Sequence, residues 1–239
     1  MQAMLFAAGL GTRLQNETAS KPKALVQIGG KTLLERAIDK LKAEGVQKIV
    51  VNVHHFAGLI IDFIESKDWG IPVLISNESE KLLETGGGLK KAGSFFSDDS
   101  PILIYNVDIL SNIDLNDLKR THLNSGALAT LVVRKRETQR YFKFDEEKNL
   151  VGWLNKKTGE TIIAKPDTFE TATEIAFSGI HIVQPELLKL MPDEDRFSIV
   201  KVYLELAKTR NIKAYFDTSD SWIDVGKPEQ LAEARARFK

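Results

Sequence analysis

The chain has 239 residues, with 33 Lys plus Arg against 33 Asp plus Glu, 43% hydrophobic and 28% charged residues, and no cysteine. This is the composition of a folded globular domain rather than of disorder or a membrane span, and zero formal net charge leaves no basic surplus for nucleic acid or anionic lipid. Disulfides, thiolate metal sites and thiol nucleophiles are excluded, and without a basic leader ahead of an apolar core the chain is expected in the cytoplasm.

The first predicted element is a buried strand at 3–8 (AMLFAA), stopped abruptly by Gly9 and Gly11. Thr32 and Glu35 then stand at capping-box spacing, and Leu33, Leu34, Ala37, Ile38 and Leu41 recur at helical spacing, which predicts a helix over 32–44. Apolar runs at 46–53, 71–76 and 101–108 predict further strands, with helices over 57–65 and from Glu84 to about Phe96. Strands that are apolar throughout and alternate with helices imply a parallel sheet covered on both faces. From about residue 127 the rhythm changes: ALATLVVRK (127–135), RYFKFD (140–145), LVGWL (150–154) and EIAFSGIHIV (174–183) predict antiparallel strands joined by turns. Helices at 185–191 and 198–209, with Ser198 suited to a cap, a strand at 212–216 and a last helix opened by Pro228 complete the chain. The expected fold class is α/β: a Rossmann-like mixed, mainly parallel sheet flanked by helices, with a small antiparallel β insertion. No linker interrupts it, so one domain over 1–239 is expected, with halves at 1–125 and 126–239.

Two familiar phosphate motifs fail on inspection. Gly9-Leu10-Gly11-Thr12-Arg13-Leu14 has leucine where a dinucleotide fingerprint needs its third glycine, and Gly29-Gly30-Lys31-Thr32 lacks the first glycine of a phosphate loop because Leu25 stands there. What remains is a strand end followed by glycines whose amides can form an anion nest, with Arg13 as a planar donor fork and Lys23, stiffened by Pro22, as a compact charge. A plain strand-to-helix turn with surface cations is the alternative. Asp108 ends an apolar strand after Asn106, and Asp224 lies between Trp222 and Gly226 in a similar transition. If the two carboxylates meet they suit Mg²⁺, which takes one or two carboxylates plus phosphate oxygens and waters; read singly, each is equally a cap or turn aspartate. The three glycines of ETGGG (84–88) disfavour a helix by about 1 kcal/mol each relative to Ala, so they need a reason such as close approach of a flat ligand, or else a flexible loop precedes the helix. Adjacent His54 and His55 would point to opposite faces of a strand, so a loop or strand-end role is expected for them rather than a metal.

Taken together, LFAAGLGTRL (5–14), KPKALVQIGGKTLLERAIDKL (21–41), LETGGGL (83–89), NVDIL (106–110) and WIDVGKPEQLAEA (222–234) resemble the sugar-1-phosphate nucleotidyltransferases over nearly the whole chain. Within that family the set is most similar to the N-acetylmuramate-1-phosphate uridylyltransferases and somewhat less to mannose-1-phosphate guanylyltransferases. The resemblance implies transfer of a nucleotidyl group from an NTP to a sugar 1-phosphate, with UTP and N-acetylmuramate 1-phosphate or a related hexose or hexosamine phosphate as the pair. Mannose- or heptose-1-phosphate guanylyl transfer, and a non-catalytic nucleotide-sugar sensor, are the alternatives. It further implies Arg13 and Lys23 as catalytic residues; Ala7, Ala8, Gly9, Gly11 and Thr12 on the nucleotide, with Glu84, Thr85, Gly86 and Gly87 at its base; and Asp108 and Asp224 on Mg²⁺. Asn106, Gly152, Glu174, Ser178, Gly179 and Trp222 are implied for the sugar, in a monomer or homodimer with no appended β-helix. The chain departs from the family at LNKKTG (154–159), where an E-K-P segment is usual, so the resemblance does not carry a sugar-phosphate role onto Lys156.

Overall fold

The structure, a computed structural model, describes residues 1–238. In chain order, β1 (Gln2–Phe6) leads through short 3₁₀ turns to a two-residue hairpin, β2 (Gln27–Ile28) and β3 (Lys31–Thr32), and then to α1 (Leu33–Ala43). β4 (Lys48–Val53), α2 (Ala57–Glu65), β5 (Val73–Asn77), α3 (Glu84–Ala92), β6 (Ile102–Asn106), β7 (Ile109–Ser111) and α4 (Leu115–Ser125) complete the first half. The second half contains β8 (Ala129–Arg134), β9 (Arg140–Phe144), β10 (Leu150–Asn155), β11 (Thr161–Ile163), α5 (Pro166–Phe169) and β12 (Thr173–Val183). It ends with α6 (Glu186–Lys189), α7 (Ile199–Leu206), β13 (Ile212–Phe216), β14 (Trp222–Asp224) and α8 (Pro228–Arg237).

The main sheet runs β11-β10-β9-β12-β6-β1-β4-β5, with β8 on β12 and β13 on β8. β6, β1, β4 and β5 are mutually parallel, as the apolar runs imply. The antiparallel strands are not a detached layer. The eleven-residue β12 pairs with β9 through Thr173–Ile175 and with β6 through Ile180–Val183, and its register on β8 breaks between Phe177 and His181. That break bends one strand across both halves and makes the sheet continuous.

The two faces of β1 show why both are covered: Met4 packs into one core with Val50, Ile104, Phe144 and Tyr203, while Ala3 and Leu5 point into another with Leu34, Ile38, Val51 and Tyr105. α1 forms as its sequence requires. Thr32 Oγ1 accepts a hydrogen bond from the Glu35 amide at 3.0 Å, and Leu33, Leu34, Ala37, Ile38 and Leu41 are buried. Elements that the apolar pattern does not announce are α4, capped by Asp114 on the Asp117 amide, and the separate β7–β14 ladder. Among the described residues no helix is long and apolar enough to cross a membrane.

Candidate active site

The carboxyl ends of β1, β4 and β6 lie side by side, since Phe6 is in register with both Asn52 and Asn106. This is the edge where parallel sheets present ligands. Beyond Phe6 the Ala7 amide donates to Asn52 Oδ1 at 2.8 Å, which fixes the start of the glycine loop. Ala7 and Ala8 are buried, whereas Gly9, Thr12 and Arg13 are exposed. A Cβ on Gly9 would meet nothing within 4 Å, so the loop there faces open space. Gly11 takes φ +66°, a left-handed turn that favours glycine, and its carbonyl is bonded by the Leu14 amide and the Thr18 hydroxyl, both at 3.0 Å.

Lys23, nine-tenths buried, donates to Asp108 Oδ2. Asp224 arrives beside it on β14, which pairs with β7 so that Asp224 faces Ile109; the Val225 amide donates to the Asp108 carbonyl at 2.9 Å. Burial raises the Asp224 carboxyl above the usual carboxylate range, the Asp108 charge raises it further, and Lys23, Arg13 and Arg136 oppose both. A Cβ on Gly226 would lie 2.8 Å from Asp224 Oδ1 and 2.9 Å from Arg13 Nη2, so this glycine leaves room for the guanidinium beside the carboxylate. Asp224 Oδ1 is buried with no hydrogen-bond partner. An orphaned carboxylate oxygen next to a second carboxylate is the donor set of a hard divalent cation. Among the described residues no group of three or more His, Cys, Asp or Glu could cage an ion. A metal here therefore needs phosphate or water oxygens as well.

A cleft of about 220 Å³ adjoins this cluster, lined by Phe6, Ala8, Gly9, Asn52, Glu78, Leu82, Glu84, Thr85, Asn106 and Asp108. A roomier depression of about 560 Å³ lies elsewhere, against Asp117, Lys148, Lys213 and Phe216, and holds none of the residues singled out from the sequence. Glu84 and Thr85 thus line the cleft, Glu84 at φ +62° and ion-paired to Arg196, while Thr85 Oγ1 accepts the Ile199 amide at 3.1 Å. The glycines after them have a different reason to exist from the one their spacing suggests. The Gly86 and Gly87 amides both donate to the Phe197 carbonyl. A Cβ at Gly86 would strike the Phe197 ring at 2.4 Å, one at Gly87 the Asp195 carbonyl at 1.9 Å, and one at Gly88 Glu78 Oε1 at 2.7 Å. The close approach comes from the protein's own chain.

The residues assigned to the sugar divide. Asn106, Gly179 and Trp222 gather near the aspartates: Gly179 adopts φ +78° and a Cβ on it would sit 2.7 Å from Asn106 Nδ2, while Trp222 Nε1 donates to the Ser178 carbonyl at 3.1 Å. The Ser178 hydroxyl is spent on the Val132 carbonyl at 2.7 Å, inside the core. Glu174 is exposed and ion-paired with Lys156 at 2.7 Å, and Gly152 is covered by the Phe169 ring, 2.4 Å from where a Cβ would be. His54 lies past the end of β4, with Nδ1 bonded to the Glu78 carbonyl. Sequence reasoning passed over Asn52 and Glu78, and also Arg136, which lies over the Trp222 ring. A polar residue inside the apolar run 46–53 was the only trace of Asn52.

The chain belongs to the nucleotidyl transferase family, whose model matches residues 2–239. Among its relatives, an N-acetylmuramate alpha-1-phosphate uridylyltransferase of Caulobacter vibrioides is 31% identical, over 99% of this chain and 96% of that protein. A mannose-1-phosphate guanyltransferase of Yarrowia lipolytica is 29% identical over 97% of this chain, which spans 62% of that longer protein. The crystal structure of HddC from Yersinia pseudotuberculosis superposes with a TM-score of 0.80 at 26% identity, covering 100% of this chain and 99% of that one.

Proposed function

We propose that this sugar-1-phosphate nucleotidyltransferase joins UTP to N-acetylmuramate 1-phosphate or a related hexosamine 1-phosphate, with Mg²⁺, releasing pyrophosphate. The observation that carries the proposal is the meeting of Lys23, Asp108 and Asp224, brought from three distant stretches of chain to the open end of β1. The uridylyl assignment rests on the relative that matches along nearly its whole length. The acceptor phosphate is already an anion at neutral pH, so no general base is needed. The task is to hold two polyanions in line against their repulsion, which fixed positive charge and positioning can do.

In this reading the amides of Gly9 to Arg13 and the Arg13 guanidinium hold the β- and γ-phosphates and the departing pyrophosphate. Lys23, with three N–H donors and one taken by Asp108, has donors left for the α-phosphate. Asp108 and Asp224 would hold the divalent metal, which when bound supplies Lewis-acid charge to the phosphate oxygens. Glu84 and Thr85 border the base, and Asn106, Gly179 and Trp222 border the acceptor sugar. The test is a matrix of UTP, GTP, CTP and dTTP against N-acetylmuramate, N-acetylglucosamine, glucose and mannose 1-phosphates, read by pyrophosphate release. Turnover confined to GTP with mannose 1-phosphate would move the assignment to the guanylyl branch, which the 29% relative favours.

A further inference from the structure

The two cations assigned to phosphate, Arg13 and Lys23, both come from residues 1–125. An acceptor that brings its own phosphate needs countercharge from the other side as well, and Lys156 is a poor source: it is exposed and paired with Glu174. We infer that Arg136 receives the acceptor's phosphate group. The inference rests on the transfer reading above and adds a substrate-contacting residue to it.

Arg136 follows β8 and is anchored at two points. Its Nη2 donates to the Phe177 carbonyl at 2.9 Å, at the register break of β12, and its Cζ lies 4.8 Å from the centre of the Trp222 ring. Side chains two apart on a strand share a face, so a guanidinium over Trp222 is alongside Asp224. Each of Arg136 and Asp224 accordingly perturbs the other's charge. The neighbouring Arg134 is spent on Asp217 at 2.8 Å and on the Ser219 carbonyl. Arg136, in contrast, has no carboxylate within 4 Å among the described residues, and its buried Nε has no hydrogen-bond partner. A partly desolvated guanidinium with idle donors, stacked on an aromatic wall and set beside a carboxylate of the transfer centre, matches a phosphate better than a hydroxyl. Its closeness to Asp224 selects the phosphate over an acidic group further along the sugar.

The experiment measures steady-state KM for acceptor and donor separately in wild type, Arg136→Ala, Arg136→Lys and Lys156→Ala, using the acceptor and donor panel above, with melting temperatures alongside. The expected result for Arg136→Ala is an acceptor KM raised by about tenfold to a hundredfold on every acceptor, as for loss of a charge-assisted contact. Donor KM should stay within about twofold, Arg136→Lys should recover part of the loss, and Lys156→Ala should raise acceptor KM less. An unchanged acceptor KM with wild-type turnover intact overturns the inference alone. So does a loss confined to the carboxylate-bearing N-acetylmuramate 1-phosphate, or a parallel rise in donor KM. Wild-type silence across the whole panel overturns the transfer reading itself, and this inference with it.

Discussion

Gly9 lines the cleft, and Gly86 to Gly88 directly follow Glu84 and Thr85, which line it too; the two glycine stretches look alike in sequence, yet they differ in what fills the space their missing side chains leave. At Gly9 a Cβ would meet nothing within 4 Å, whereas at Gly86, Gly87 and Gly88 it would strike the Phe197 ring, the Asp195 carbonyl and Glu78 Oε1. The first is open for a ligand at Gly9, while Gly11 packs against Thr18 and Lys23; the second is closed by the segment before α7 and by a buried carboxyl. Glycine reports that something comes close without reporting what it is, and only the tertiary neighbours separate a cradle from a packing contact.

If the open cluster is the phosphate cradle, the largest effects belong to the charged groups beside it. Asp108→Asn or Lys23→Ala is expected to lower kcat by at least ~10²-fold, on the scale of losing one preorganised electrostatic contact, and to lower the melting temperature as well, because each leaves a largely buried partner unpaired. Near-normal turnover in either variant breaks the comparison at its first term. Gly87→Ala should act on folding instead. The added methyl gains helix propensity but must displace a backbone carbonyl, so destabilisation of about 1–3 kcal/mol is expected in denaturant melts. A neutral or stabilised Gly87→Ala protein would show that the 195–197 segment yields freely. Gly9→Ala should do the reverse, leaving stability alone and raising donor KM about twofold to tenfold, as for one weakened hydrogen bond to phosphate.

Much of the first half, residues 1–125, was legible because its signals are local. Thr32 and Glu35 announced α1 within a residue of its observed start, and the apolar runs at 46–53 and 71–76 overlie β4 and β5. The strand read at 101–108 stops at Asn106, because Val107 and Asp108 form a turn whose Asp108 carbonyl accepts the Val225 amide. Likewise the helix read to about Phe96 is α-helical only to Ala92. The helices read at 185–191 and 198–209 shrink to Glu186–Lys189 and Ile199–Leu206, since α7 starts from Ser198 as read but gives way after Leu206. What the sequence withheld was long-range. Nothing near Thr173–Val183 says that one strand will pair with β9 at one end and β6 at the other. Nothing near Glu78 says that its carboxyl will sit against Gly88. Arg136 lay in a charged run that reads as a solvated turn, and only the fold places it over Trp222.

Glu78 supplies the subtlest test of the closed cluster. Its Oε1 accepts Asn52 Nδ2 at 2.8 Å, Asn52 Oδ1 in turn accepts the Ala7 amide, and Oε2 is buried without a partner. The carboxyl that fills the space over Gly88 therefore also braces the start of the open loop. Burial raises it above its ordinary value of 4.5, against the lowering effects of the Asn52 hydrogen bond, the Leu83 backbone, Lys91 and His54. A carboxyl raised in the folded state contributes stability that is complete below its unfolded pKa and is lost as pH rises through its folded one. Glu78→Gln removes the ionisation but keeps an oxygen for Asn52. The stability of wild type relative to Glu78→Gln should thus decline as pH rises from about 4.5 towards neutrality. The slope must stay below the ~1.4 kcal/mol per pH unit that one whole proton permits. An advantage of wild type that grows with pH would mean that the folded protein favours the ionised carboxylate, so that the donors and charges around it, Asn52, Leu83, Lys91 and His54, outweigh its burial.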